Sequence, residues 1–460
     1  MTDTDTTAAP PFTLESPDGR SVVLRGERSG TPRVGDFLEV ATDQVRWVVF
    51  VDDVTTNPNG TFAAAGSLTH FKHEAPGPAA LSVTVRPAAT DDIAPLLTND
   101  DERLHVGVLA RRPDIQVSIV PKRLNRHTFW CGQSGSGKTY ALGVTLERIL
   151  SGTGLPVVIF DPNSDFVSLN TSRDDADPDE SGLLQGRDIT ILRPDDPDSP
   201  LRVRFTDFSA RAKAAVLRLD PVIDRAEYNA LLHLTPELDG IDADEIVKHL
   251  QDLGSPEAAA LLQRIENLGL LDWTRTWAQS SVSATEVIAQ RPAATVLDLG
   301  GYERHEEQLT VALGVLDDLW ARRTERRPVL LVLDEAHNLC PPDPDTPLGV
   351  AVRDRLIQIA AEGRKFGLWL LISTQRPSKV HPGIVSQCDN LTLMRMNSRA
   401  DLDVLAQTFG FVPEGLLRQA ARFGMGEALL AGGFVALPSV VKVRARVTAE
   451  GGTDVPVPLL

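Results

Sequence analysis

Two rhythms of apolar and polar positions divide the chain. Before about residue 95, short runs rich in β-branched and aromatic residues are separated by Gly, Pro, Asp and Asn; they include Ser21–Leu24, Phe37–Val40, Val45–Val51 and Leu81–Val85. Asn57-Pro58-Asn59-Gly60 marks a turn between two of them. Several short strands at this spacing predict a small β-barrel or sandwich over residues 11–95. A Thr/Asp/Ala/Pro-rich tail over 1–10 reads as disordered. Residues 96–126, with the acidic cluster Asn99-Asp100-Asp101-Glu102, read as a linker.

From His127 onward, apolar runs alternate with helical stretches. The runs are His127–Cys131, Pro156–Phe160, Asp188–Leu192, Thr295–Leu299, Val329–Leu333, Leu368–Ile372 and Leu391–Met394. Mostly apolar strands, with helices between them, predict a mostly parallel sheet covered on both faces, hence an α/β core. Its first part is 127–208 and its second 281–446, the latter ending in a C-terminal β segment. Residues 209–280 break the rhythm with Leu- and Ala-rich helical periodicity and predict a helical insertion. Residues 447–460 read as a tail.

Composition adds limits. The 460 residues are 42% hydrophobic and 24% charged, enough apolar matter for a sizeable core. The net charge of −17 argues against a simple nucleic-acid coat, although a locally basic channel remains compatible with it. Cys131, Cys340 and Cys388 are too widely spaced for a metal or redox motif, and fit a reducing cytoplasmic setting. No apolar run is long enough to span a membrane.

The most specific chemical signal is the segment Gly132, Gln133, Ser134, Gly135, Ser136, Gly137, Lys138 and Thr139, which follows an apolar strand and opens a helix. Glycines let such a loop turn tightly and aim backbone N–H groups at phosphate oxygens, and the helix N-terminus adds positive potential. Lys138 is expected to reach the β and γ phosphates of ATP, and the Thr139 hydroxyl to bind Mg²⁺.

A second signal is Val329–Leu333 followed by Asp334-Glu335-Ala336-His337. Two carboxylates at the C-terminal end of a buried strand stand where open α/β sheets place ligands. Asp334 is expected to hold Mg²⁺ through water, and Glu335 to orient the attacking water. His337 either couples this site to its neighbours or is a hydrogen-bonded structural histidine.

Two further segments are weaker. Arg364, in Glu362–Gly367, could be an arginine finger or a solvated helix end, and Gln375, in Thr374-Gln375-Arg376-Pro377, could sense the γ-phosphate. Asp161-Pro162-Asn163-Ser164-Asp165 closes the second core strand; Asp161 could support the water network or simply make an Asx turn.

Taken together, these segments resemble the HerA branch of the HerA/FtsK superfamily of hexameric P-loop ATPases. The resemblance rests on the β-rich start, the lead-in Asn125-Arg126-His127 with the loop Gly132–Thr139, and the Asp161–Asp165 turn. It also rests on Asp334–His337, Glu362–Gly367, Thr374–Pro377, and Gly426-Glu427-Ala428-Leu429 with Pro438. It implies that the β-rich start is a barrel, and with it a RecA-like core and a homohexameric ring with nucleotide between subunits. Arg364 would then act in trans, and Gln375 would report on the γ-phosphate. It further implies a motor moving on double-stranded DNA with a NurA-type nuclease or a defence effector as partner, in DNA-end processing or antiphage defence. The turn reads Asn163-Ser164-Asp165 where many relatives have His-Gly-Glu.

Two alternatives stay open from the residues alone. One is an ATP-regulated ring scaffold that controls an effector without processive movement; the −17 charge fits it slightly better. The other is a conjugation or secretion coupling ATPase. The arginine pairs Arg322-Arg323 and Arg326-Arg327 read either as a phosphate-binding face or as a solvated helix end.

Overall fold

A computed structural model of the chain describes residues 12–27, 30–71, 75–97, 104–234, 243–278 and 281–452. The expected tail over 1–10, the acidic cluster at 99–102 and residues 453–460 lie outside these. The chain divides into two compact units, Met1–Val120 with Leu391–Arg444, and Pro121–Asn390 with Ala445–Leu460.

The first unit contains a closed antiparallel barrel in the order β1-β2-β5-β4-β3-β6. Its strands are β1 (Phe12–Glu15), β2 (Ser21–Glu27), β3 (Phe37–Ala41), β4 (Arg46–Thr56), β5 (Thr61–Phe71) and β6 (Leu81–Pro87). Alternate residues point inward, and Leu14, Val22, Leu24, Val40, Val49, Phe62 and Val83 make one apolar core. Two of these strands escape the sequence pattern. β1 is short, and β5 carries Ala63-Ala64-Ala65-Gly66, residues of low strand propensity held by pairing with β2 on one side and β4 on the other.

The stretch expected to be a linker, 96–126, is mostly structured. It holds the strands β7 (Leu104–Leu109) and β8 (Arg112–Ile119), paired antiparallel, and a 3₁₀ turn over Pro121–Asn125. Burial of Val106, Leu109, Ile115, Val117 and Ile119 drives this hairpin, a pattern masked in the sequence by the polar residues between them.

The second unit is built on six parallel strands in the order β11-β12-β10-β13-β14-β9. They are β9 (His127–Cys131), β10 (Val157–Asp161), β11 (Ile189–Leu192), β12 (Ala294–Asp298), β13 (Val329–Leu333) and β14 (Leu368–Thr374). β9, β10, β12 and β13 are buried along their whole length, as expected of strands covered on both faces. Between β11 and β12 the chain makes the helices Ala210–Val216, Arg225–Leu234, Ala243–Leu253 and Pro256–Asn267.

β15 (Cys388–Met394) carries the chain from the second unit back into the first, where β16 (Glu427–Gly432) and β17 (Ser439–Val443) pair antiparallel and β17 pairs with β7. Residues 281–446 are therefore not one continuous part of the core, because 391–444 belong to the first unit. Nor do the residues after 446 begin a loose tail. Val447 and Thr448 are buried in the second unit, their backbone N–H groups taken by a fully buried carboxylate, Glu147.

Candidate nucleotide site

β9 delivers the glycine-rich loop to the C-terminal edge of the parallel sheet, where the helix Lys138–Gly152 begins. Gly135 and Gly137 have φ of +69° and +88°, a region that costs glycine little and other residues about 1 kcal/mol or more. Gly137 is the helix N-cap and supplies no side-chain cap. The first N–H groups of the helix therefore stay available to an anion.

β14 lies between β9 and β13, so the ends of all three strands converge. Lys138 Nζ donates to Asp334 Oδ1 at 2.8 Å and to Ser373 Oγ at 2.8 Å, and stands 3.1 Å from Glu335 Oε1. Ser373 Oγ donates to Asp334 Oδ1 at 2.6 Å. The Gln375 backbone N–H donates to Glu335 Oε2 at 3.2 Å. His337 Nδ1 is 3.2 Å from the same Glu335 oxygen and 3.1 Å from Thr374 Oγ1. Lys138, Asp334, Glu335 and Ser373 are all buried.

Electrostatics follow from this packing. Burial pushes the Lys138 ammonium toward its neutral form, but the charges and hydrogen bonds of Asp334 and Glu335 outweigh it and leave Lys138 more basic than usual. Burial likewise pushes the Glu335 carboxyl up, yet the hydrogen bond from His337 and the charge and hydrogen bond of Lys138 hold it at about 2. Glu335 is thus an anion at neutral pH. It sits at φ +40° in the left-handed region, an unusual conformation for a side chain of this size and one often kept where function requires it.

The turn after β10 adds more carboxylates. Asp161 accepts backbone N–H groups of Asn163 (3.4 Å), Asp165 (3.0 Å) and Phe166 (2.7 Å), so it shapes the turn. One oxygen each from Asp161, Asp165 and Asp334 lies within 4.8 Å of the others. Burial, then the charge of Asp334, raises Asp165 to about 6; burial, against the backbone N–H bonds and with the charge of Asp334, raises Asp161 to about 7. Asp334 Oδ2 is buried and has no hydrogen-bond partner. An open buried carboxylate oxygen beside other hard oxygen donors suits Mg²⁺. Thr139 is half-buried on the first turn of the phosphate-loop helix.

The remaining candidates fall elsewhere. Arg364 lies in the 3₁₀ turn Gly363–Phe366, one-third exposed, and donates to Asp389 Oδ2 at 2.7 Å. Among the described residues it makes no hydrogen bond or ion pair with Lys138, Asp334 or Glu335. Gln375 reaches the cluster through its main chain. The arginines at 322–327 largely satisfy themselves. Arg322 pairs with Asp318 at 2.8 Å, Arg327 with Glu325 at 3.3 Å, and Arg323 stacks on Trp320 with its guanidinium 4.6 Å from the ring centre.

Three participants escape the sequence pattern. Ser373 is one polar residue in an apolar strand; its position next to the strand end was the available signal. Glu147 and Arg446 are both fully buried, 3.8 Å apart. Glu147 accepts from Val447 N, Thr448 N and Thr448 Oγ1, and the Arg446 guanidinium packs where a Cβ on Gly143 would lie. A glycine inside the helix was the only hint of that close approach. This C-terminal strap continues to the Asp165 turn, where Gly451 N–H donates to Asp165 O at 3.1 Å.

Residues 104–318 match the family model described as the central domain of the HerA helicase. That span includes the phosphate loop and stops before β13. The DNA double-strand break repair helicase HerA of Pyrococcus furiosus is 24% identical over 409 residues, 77% of this chain and 72% of that one. Its namesake from Sulfurisphaera tokodaii is 23% identical over 385 residues, 80% and 74%. Among solved structures, VirB4 of Thermoanaerobacter pseudethanolicus superposes with a TM-score of 0.53 at 16% identity, over 75% of this chain and 97% of that one. The bacterial conjugative coupling protein TrwB gives 0.51 at 14%, over 79% and 93%. By sequence, this chain is similar to the HerA helicases over most of its length, and its fold is a RecA-like P-loop core with an N-terminal β-barrel.

Proposed function

We propose that this chain binds ATP with Mg²⁺ at the Gly132–Thr139 loop and hydrolyses it to drive movement on double-stranded DNA. The observation that carries the reading is the convergence of Lys138, Asp334 and Glu335 at one strand edge, with Lys138 within 3.1 Å of both acids. In this reading backbone N–H groups of the loop and of the first helical turn cradle the phosphates. Lys138 moves from the two carboxylates onto the β and γ phosphates. Glu335, held anionic and aimed by His337 and the Gln375 N–H, orients the attacking water and accepts its proton. Asp334 and Thr139 would hold Mg²⁺, which would supply positive charge to offset that of the phosphates.

The homohexamer, the cross-subunit role of Arg364 and the γ-phosphate sensing by Gln375 are part of the same proposal. Arg364 supports it by lying outside its own subunit's cluster in a partly exposed pair, from which it can be redirected. The DNA role draws on the HerA relatives, named as double-strand break repair helicases, and includes a NurA-type nuclease or defence effector as partner. The fold likeness to VirB4 and TrwB is the observation favouring a coupling ATPase as the second reading.

Duplex-DNA binding measured across a salt series, alongside DNA-stimulated ATPase, tests the motor. Affinity that falls steeply with salt, together with stimulated turnover, is expected. ATPase activity with no detectable duplex binding at low salt would leave a ring scaffold or coupling ATPase in its place.

A further inference from the structure

The acidic turn after β10 is larger than the nucleotide mechanism requires. Asp161, Asp165, Asp334 and Glu335 bring four carboxylates together, and Lys138 is the ammonium paired with the last two. Fully ionised, this group carries −4 + 1 = −3. Carboxylates this close together in a buried site repel one another unless protons or a cation join them. Asp334 is fully buried, and while its Oδ1 receives Lys138 and Ser373, its Oδ2 has no partner. Asp161 has both oxygens engaged by the backbone N–H groups of its own turn, which aims the turn toward Asp334.

Distance supports a metal rather than a second side chain. One carboxylate oxygen each from Asp161, Asp165 and Asp334 lies within 4.8 Å of the others. Oxygens on opposite sides of a hard divalent ion stand about 4.2 Å apart for Mg²⁺ and about 4.6–5.2 Å apart for Ca²⁺, twice the metal–oxygen bond. The turn is also braced from outside, since Gly451 N–H donates to the Asp165 carbonyl and a Cβ on Gly451 would collide with Ser164 O. The braced backbone presents the Asp165 carboxylate to Asp334.

We propose that Asp165 and Asp334 ligate a divalent cation directly, in the absence of nucleotide, with Asp161 as the buried positioning residue. This deepens the nucleotide-site reading and rests on it. There, Asp334 and Thr139 hold a metal that accompanies ATP; here, a second acid, Asp165, lets the ion enter first.

The test uses the full chain without nucleotide. Mn²⁺ is titrated in and the free ion is followed by electron paramagnetic resonance, for the wild type, Asp165→Asn and Asp165→Glu, with circular dichroism on each. The wild type is expected to bind one Mn²⁺ per chain. Asp165→Asn is expected to weaken it by roughly 10-fold or more, and Asp165→Glu to retain most of it, since the carboxylate survives. A folded wild type that takes up no Mn²⁺ overturns the proposal, and so does Asp165→Asn binding it as tightly as wild type. Equal loss in the Asn and Glu variants assigns Asp165 to shaping the turn and also overturns it. Binding of a fluorescent ATP analogue to the wild type, measured in parallel, separates the two ideas. ATP bound without prior Mn²⁺ uptake defeats only this inference, whereas Mn²⁺ uptake with no ATP binding defeats the nucleotide reading.

Discussion

Lys138 Nζ donates to Asp334 Oδ1 at 2.8 Å across 196 residues of chain. The lysine that opens the helix after β9 and the acid that follows β13 are each other's partners. Asp334 has its positive charge from Lys138 and a hydroxyl from Ser373 on the same oxygen. Lys138→Ala is therefore expected to do two things. ATP binding should fall by about 100-fold or more, and the melting temperature should drop, because removing one member of a buried pair costs about 3–5 kcal/mol. Adding Asp334→Asn should recover part of that stability, with a coupling energy of about 1–3 kcal/mol in a double-mutant cycle. Unchanged ATP turnover in Lys138→Ala would remove the central assignment.

Glu335→Gln keeps the size of the side chain and removes its charge. It is expected to bind ATP and to lose turnover by roughly 100-fold or more, because water orientation and proton acceptance fail together. Single-turnover hydrolysis beside equilibrium ATP binding separates the two effects. A variant that hydrolyses at the wild-type rate would shift the water-orienting role to another group.

Arg364 and Asp389 form a partly exposed pair worth about 1 kcal/mol or less. Arg364→Ala should leave thermal stability nearly unchanged while lowering turnover by roughly 1000-fold, the scale of an arginine finger. Mixing Arg364→Ala with Lys138→Ala subunits should restore some activity, since mixed assemblies contain intact composite sites. No recovery in verified mixtures would place the arginine's action within its own subunit.

His127 is fully buried, with Nε2 donating to Ala360 O at 2.9 Å and Nδ1 accepting from Leu370 N–H at 2.9 Å. That pattern requires the neutral ring. Burial, against the Ala360 hydrogen bond, lowers its pKa from 6.5 to about 4. Above pH 6.5 the ring is neutral folded or unfolded, and its stabilising contribution is complete. As pH falls from 6.5 toward 4 the unfolded chain takes up the proton first, so about 3 kcal/mol of stability is lost. Ring resonances of His127 in an NMR titration should hold their neutral shifts to about pH 5. Titration near 6.5 in the folded protein would contradict the burial argument.

Gly143 tests the C-terminal strap. Alanine in place of glycine usually favours a helix by about 1 kcal/mol. Here a Cβ would lie 2.5 Å from the Arg446 guanidinium carbon, so Gly143→Ala should instead destabilise by about 1–3 kcal/mol. Glu147→Ala should cost about 3–5 kcal/mol by leaving Arg446 buried opposite the lost charge. Chemical denaturation measures both, and a stabilised Gly143→Ala would mean that the strap is not packed against this helix.

The parallel strands of the second unit were legible because each is a short, mostly apolar run, as burial on both faces favours. The glycine-rich loop was legible because its glycines, lysine and hydroxyl residue are contiguous in one local stretch. Asp334 and Glu335 stood out as two acids at the end of such a run. The hairpin over 104–119 was not legible: its buried residues are interleaved with polar ones, and its stability depends on the pairing of β17 with β7.

What local sequence determined about this protein is the set of parts: which runs bury themselves, where the chain turns left-handed at Gly135 and Gly137, and which side chains bear charge. Only the tertiary structure decided the pairings. The order β10-β13-β14-β9 brings Lys138, Asp334 and Ser373 together, and the returning chain seats Arg446 on Glu147 some 300 residues away. Backbone preferences and hydrophobic periodicity act over a few residues, whereas a buried charge accepts any partner the fold can deliver. Its partner is therefore chosen by topology, and no local pattern records the choice.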